Sequence, residues 1–169
     1  MTNDQLLTDA FGRVREGAHR VLDACSPETL AFRPDPAANS IGWLVWHLTR
    51  VQDDHVAEVA GTEQVWTGGG WYGRLALPYE ASATGYGQRS DEVGAFSVRS
   101  PELLAGYLDA VHEATIRFLA TIGDADLERV VDRSWDPPVT LAVRLVRVLA
   151  DDLQHVGQAA YVLGLAERA

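Results

Sequence analysis

Apolar residues recur at the three- and four-residue spacing of an amphipathic helix in four long stretches of the chain. These stretches predict helices over about 3–25, 40–61, 100–123 and 140–164. Four long amphipathic helices with little strand signal are typical of an all-α four-helix bundle. We therefore expect that fold, with 1–169 forming a single domain.

Cap and breaker residues set the boundaries of these predicted helices. Ser40 and Ser100 stand where an N-cap is expected, and Pro101 occupies a first helical position. A further turn of helix is expected near 127–131, followed by a proline-containing turn at 134–138.

The longest connection, residues 61–99, joins the second predicted helix to the third. It is rich in glycines and aromatic residues and is expected to be irregular. A connection of this length is usually functional or mobile, and such a crossover lets consecutive helices run parallel.

The charge balance narrows the possible partners. The formal net charge is -10, which argues against nucleic acid and anionic membrane surfaces as partners.

No apolar run approaches the ~20 residues of a membrane span. Because the N-terminus lacks a signal-peptide pattern and Cys25 is the single cysteine, we expect a reducing, cytoplasmic location. The absence of lysine, with abundant Ala, Val, Arg, Asp and Gly, suggests the coding bias of a GC-rich bacterium.

The candidate chemistry lies on two of the predicted helices. His47 falls on the apolar face of the second helix, and Asp151 and His155 stand one turn apart on the last. Three protein ligands that leave a fourth position open are the mark of a catalytic metal site. Asp152 lies closer to the centre of the apolar stripe, so spacing alone leaves either aspartate as the ligand, and a metal-free buried polar network remains an alternative.

Other residues are candidates for supporting roles. Asp54, His55, Asp152 and Gln158 stand where they could orient a metal ligand through a hydrogen bond. In the long connection, Trp71, Tyr72 and Arg74 could border a substrate mouth, with Arg74 available to a carboxylate.

Three motifs resemble those of a known family. They are Ile41-Gly-Trp-Leu-Val-Trp-His47, the pair of candidate ligands four residues apart on the last helix, and the ending His155-Val-Gly-Gln158 followed by Tyr161 and Leu163-Gly164. The chain is similar in these features, and in its helix order, to the DinB-like superfamily. That superfamily includes mycothiol-dependent maleylpyruvate isomerases and bacillithiol and mycothiol S-transferases.

The resemblance implies a function. Carried over from the family, the metal ligands are His47, Asp151 and His155, where the isomerase branch has the longer Glu at the position of Asp151. The implied cofactor is a divalent metal, with zinc favoured and nickel possible. The implied reaction uses a low-molecular-weight thiol as a metal-bound thiolate that attacks an electrophile, and the compositional bias favours mycothiol as that thiol.

Two further hypotheses stand beside this metal-dependent thiol S-transferase. One is a non-catalytic metal-binding stress-response bundle, and the other is a metal-free helical interaction protein. The expected partners are a small-molecule thiol and an electrophile, and the chain could also form a homodimer.

Overall fold

The computed structural model describes residues 2–169 and confirms the all-α bundle. The four long helices match the four predicted stretches to within about four residues. The helices are α1 Asn3–Asp23, α2 Pro27–Leu30, α3 Ile41–Ala60, α4 Val65–Gly68, α5 Trp71–Leu75, α6 Ser90–Gly94, α7 Pro101–Leu119 and α8 Leu141–Ala166, with a 3-10 helix at Asp124–Glu128 and strands β1 Val130–Asp132 and β2 Val139–Thr140.

The predicted caps form. The Ser40 hydroxyl accepts a hydrogen bond from the Trp43 amide at 3.2 Å, and the Ser100 hydroxyl accepts one from the Leu103 amide at 3.1 Å. Gly61 ends α3 with a φ of +68°, a left-handed conformation that glycine adopts without steric cost.

The long helices α1, α3, α7 and α8 form a four-membered ring in which α1 and α3 each pack against both α7 and α8. Helices α3 and α8 are antiparallel, since Arg144 near the start of α8 contacts Glu58 near the end of α3. Helices α3 and α7 are parallel, since Arg50 in the middle of α3 contacts Tyr107 early in α7, and Ala57 late in α3 lines one cavity with Phe118 late in α7. The long crossover makes this parallel arrangement possible.

Two predictions for the connecting segments need correction. The crossover is not irregular throughout, because α4, α5 and α6 all lie within it. The turn of helix predicted at 127–131 is displaced toward the N-terminus, as the 3-10 helix Asp124–Glu128. Residues of that predicted turn instead enter β1, which pairs antiparallel with β2 across the proline-containing segment. The pairing of β1 with β2 gives backbone N–H and C=O groups of this segment their hydrogen-bond partners.

A buried carboxylate fixes the start of the crossover. Asp53 accepts hydrogen bonds from the backbone amides of Val65 at 2.9 Å and Trp66 at 2.7 Å, and from the Tyr107 hydroxyl at 2.8 Å. Arg50, also buried, lies 3.6 Å from the same carboxylate. Burial raises the pKa of Asp53, while these four donors act in the opposite direction.

The same arginine holds a later part of the crossover. Its guanidinium donates to the backbone carbonyl of Ala83 at 3.1 Å and to the Gln64 side chain at 3.0 Å. Arg50 and Asp53 therefore tie two distant parts of the crossover to the middle of α3.

Within residues 2–169, no helix combines the length and apolarity that a membrane crossing requires.

We expect Asp53→Asn to destabilise the protein strongly. The amide would leave the buried guanidinium of Arg50 without a counter-charge and would direct an N–H group toward donors, at a cost of about 3 kcal/mol. As a control, Asp9→Asn removes an exposed ion pair with Arg13 and should cost less than ~1 kcal/mol. Urea unfolding of both variants gives the two free energies, and equal losses would contradict the assigned role of Asp53.

Candidate metal centre

His47 is buried on α3 with one ring nitrogen already engaged. Its Nδ1 lies 2.5 Å from the backbone carbonyl of Thr84, which can only accept, so Nδ1 carries the proton. The ring also stacks on Trp43, with the centroids 4.7 Å apart. These contacts fix the ring plane and leave Nε2 as the free donor atom, as in metal-binding histidines generally.

Glycine at position 85 permits this approach of the crossover to α3. Gly85 has a φ of +95°, and a Cβ there would lie 2.6 Å from the His47 Nδ1. A side chain at this position would therefore displace either the crossover or the imidazole. This glycine is a signal in the sequence that could have identified the segment next to the site.

The last helix supplies the other two groups. His155 lies with its Nε2 3.5 Å from an oxygen of Asp151, one turn earlier on α8. Its Nδ1 lies 2.8 Å from the side-chain oxygen of Gln158. The rings of His155 and His47 meet edge to face, with centroids 4.7 Å apart. Gln158 therefore contacts a candidate ligand.

The three side chains converge on one point. His47, Asp151 and His155 each offer one donor atom, and these three atoms lie within 4.8 Å of one another. The second oxygen of Asp151 is buried and has no hydrogen-bond partner among residues 2–169. Zinc binds such donors at about 2.0–2.2 Å in tetrahedral geometry, which brings donor atoms to within ~3.5 Å of one another. A small inward movement of the side chains would suffice, so the residues present fit a divalent metal.

The electrostatics of the three groups agree with this donor set. Burial lowers the pKa of His47 and keeps its ring neutral. The hydrogen bond with Asp151 raises the pKa of His155 against the effect of burial. Burial alone would raise the pKa of Asp151, but its hydrogen bond and charge interaction with His155 lower it overall. A metal replacing the proton on His155 would therefore release that proton, so binding should strengthen as pH rises.

Asp152 has a different environment. Its side chain is fully buried, neither oxygen has a hydrogen-bond partner within residues 2–169, and it does not belong to the three-residue cluster. Burial, reinforced by the neighbouring charge of Asp151, raises the pKa of Asp152 well above its ordinary value. The environment therefore favours the neutral form of this carboxyl, because a lone buried charge is costly.

Asp54 and His55 lie near the cluster without orienting its histidines. Asp54 accepts a hydrogen bond from Gln64 at 2.7 Å, and His55 Nδ1 lies 3.0 Å from a guanidinium nitrogen of Arg144. Neither forms a hydrogen bond with His47 or His155 among the described residues. Both instead line the cavity beside them.

That cavity has a volume of about 560 Å³ and opens directly onto two of the candidate ligands. Helices α3 and α8 form its floor, and the crossover and the β1–β2 turn form its rim. The lining residues are His47, Val51, Asp54, His55, Thr84, Tyr86, Asp132, Trp135, Arg144, Arg147, Val148 and Asp151.

Trp71, Tyr72 and Arg74 do not line this cavity, which corrects their predicted position at its mouth. Trp71 packs on Tyr107 of α7, with ring centroids 5.7 Å apart, and Arg74 stacks on Trp71 at 4.6 Å. The reason is that the Asp53 carboxylate accepts a hydrogen bond from the first residue of α4, which brings this part of the crossover to the α7 side of α3. The crossover still borders the cavity, but through Thr84 and Tyr86.

Sequence reasoning also missed the contributions of Trp135, Arg144 and Arg147. The first lies in the turn between β1 and β2, and the other two precede Asp151 on α8. Arg147 stands one helical turn before Asp151, and this four-residue step was the available signal.

Comparison with solved structures supports the fold over its whole length. A crystal structure described as a conserved protein from Enterococcus faecalis superposes with a TM-score of 0.93 at 28% sequence identity. The match covers 100% of this chain and 99% of that one. None of the curated proteins compared matches the chain.

The family comparison agrees with the fold. The model of the DinB superfamily matches residues 10–159, which include all three candidate ligands. The chain therefore belongs to the DinB superfamily.

Proposed function

We propose that this protein is a divalent-metal-dependent S-transferase that joins a low-molecular-weight thiol to a small electrophile. The observation that carries the proposal is the convergence of three donor atoms from His47, Asp151 and His155 beside an open cavity. Three ligands leave a position for an exogenous group, as in catalytic zinc sites.

The chain's own residues prepare this position. The carbonyl of Thr84 and the side chain of Gln158 bind the Nδ1 atoms and so direct the Nε2 atoms of His47 and His155 inward. A divalent ion held there would supply the positive charge that lowers the pKa of a thiol near it. In a haloaromatic substrate, the sulfur would form the new carbon–sulfur bond, chloride would leave, and the thiol proton would pass to solvent.

Zinc is the metal we favour, because two imidazoles and one carboxylate suit it, while nickel accepts the same donors. Mycothiol is the favoured thiol, on the compositional bias of the chain and on membership of a superfamily with mycothiol-dependent members. Cys25 is not a rival nucleophile, since burial raises the pKa of its thiol to about 11.

Metal content tests the first part of the proposal. Protein purified without a polyhistidine tag should contain about one divalent ion per chain, and His47→Ala or His155→Ala should abolish that stoichiometry because each removes one of three ligands. His19→Ala is the matched control, since His19 pairs with Asp109 elsewhere in the bundle. Elemental analysis of the four proteins gives the answer, and retention of one equivalent by both ligand variants would place the metal elsewhere.

The neighbouring aspartates provide a second test. Asp151→Asn should weaken metal affinity by at least about tenfold, since even residues that only orient ligands contribute 10–100-fold. Asp152→Asn should leave it nearly unchanged, because that carboxyl is fully buried and outside the cluster. Competition with a chelating dye measures both affinities. The opposite ranking would show that the apolar stripe of α8 selects the ligand.

Turnover tests the transferase itself. With 1-chloro-2,4-dinitrobenzene or a bromobimane, the zinc-loaded protein should accelerate conjugation of mycothiol by at least about tenfold over background, and more than that of glutathione or bacillithiol. His47→Ala, treated with the same zinc, is the control for catalysis by loosely bound metal. If the loaded wild-type protein consumes none of the three thiols, a non-catalytic metal-binding bundle is the correct account.

A further inference from the structure

One cation beside the candidate metal centre has no counter-charge. Arg147 lines the cavity, and within residues 2–169 no carboxylate lies within ion-pair distance of its guanidinium. The other arginine of the cavity, Arg144, is paired with both Glu58 and Asp132. In a chain of net charge -10, an unpaired arginine at a cavity mouth is available to an anionic ligand.

The acidic groups of the same cavity are already occupied. Asp151 faces His155, Asp54 accepts a hydrogen bond from Gln64, and Asp132 accepts from the backbone and hydroxyl of Ser134 in addition to its ion pair. They do not reach Arg147, but their charges would repel a ligand with several negative charges. A single carboxylate therefore suits this position better than a phosphate dianion.

Two aromatic side chains stand at the same mouth. Trp135 is 60% exposed and Tyr86 is 93% exposed, although both residues line the cavity. The guanidinium of Arg147 lies 5.6 Å from the centroid of the Trp135 ring, so the aromatic face and the cation are already placed together. Together they offer a flat, apolar contact next to a positive charge, the complement of a planar ligand with an anionic end.

Helix α8 fixes the spacing between the backbone position that carries this cation and those that carry two of the candidate ligands. Arg147, Asp151 and His155 follow at intervals of four residues, so their side chains leave the helix on nearly the same side at steps of about 6 Å. With backbone steps of about 6 Å, a molecule roughly one aromatic ring long is of the right size to contact Arg147 with its carboxylate and to reach the open metal position.

We infer that the cavity selects an electrophile that is a small planar, unsaturated or aromatic carboxylate, bound through its carboxylate to Arg147 and through its flat face to Trp135. This inference rests on the proposed function, which supplies the reaction with thiol at the other end of the ligand. The binding step itself needs neither thiol nor turnover. Tyr86, which also lines the cavity, offers a second aromatic surface to the bound ring.

Binding of a matched pair of probes tests this inference. Isothermal titration of the zinc-loaded protein, without thiol, compares 4-chloro-3-nitrobenzoate with 4-chloro-3-nitrobenzamide, which differ in the charge of one group. The benzoate should bind at least about tenfold more tightly, the usual scale of a charge-assisted hydrogen bond. Arg147→Gln should abolish this preference, and Trp135→Leu should weaken both probes by similar factors.

Arg74→Gln is the matched control, since Arg74 also stacks on an indole but lies away from the cavity. It should retain the preference for the benzoate. If Arg147→Gln keeps the preference, the carboxylate binds elsewhere, for instance directly to zinc, and the inference is overturned. Loss of the preference in Arg74→Gln would also overturn it. Arg147-dependent binding without turnover would instead refute only the transferase.

Discussion

The buried pair of Arg50 and Asp53 is the interaction on which the arrangement of this bundle depends. A crossover of about forty residues carries many backbone groups that must find partners when they pack against a helix. Asp53 binds two of the amides at its start, and Arg50 binds a carbonyl near its middle. Because each charge compensates the other, α3 can hold both groups in its interior without the cost of a lone buried charge.

This interaction also has a direct consequence for the candidate metal centre. Arg50 holds the carbonyl of Ala83, and the next carbonyl, that of Thr84, binds His47. The orientation of one candidate ligand is thus set through the crossover by a salt bridge that lies within the next two turns of the same helix. Gly85 completes the contact, since only a residue without a side chain fits against the imidazole. Placement of the crossover and orientation of His47 therefore depend on the same set of contacts.

The features that depend on local periodicity, such as the long helices, could be predicted from the sequence. The positions of residues that depend on long-range contacts could not. The caps at Ser40 and Ser100 and the four-residue step from Asp151 to His155 are local, so the bundle and the convergence of candidate ligands could be foreseen. The position of Trp71 could not, because it depends on which side of α3 the crossover is tied to. The pattern contained Asp53, but a buried acid in a helix does not reveal that it binds backbone amides twelve residues later.

The two sides of the candidate site differ in what supports them, and this difference bears on its chemistry. His47 depends on a crossover held by a buried ion pair, whereas Arg147, Asp151 and His155 share one continuous helix. A helix cannot change the spacing between its own turns without breaking hydrogen bonds. The spacing of the backbone positions that carry Arg147, Asp151 and His155 is therefore fixed before any ligand arrives, while the exposed aromatic rings at the rim keep freedom to adjust. A cavity built in this way limits the length between the charge and the reacting atom of a ligand to what the Arg147 side chain can span from a fixed backbone position, whereas the exposed rings can adapt to the bulk of the ligand.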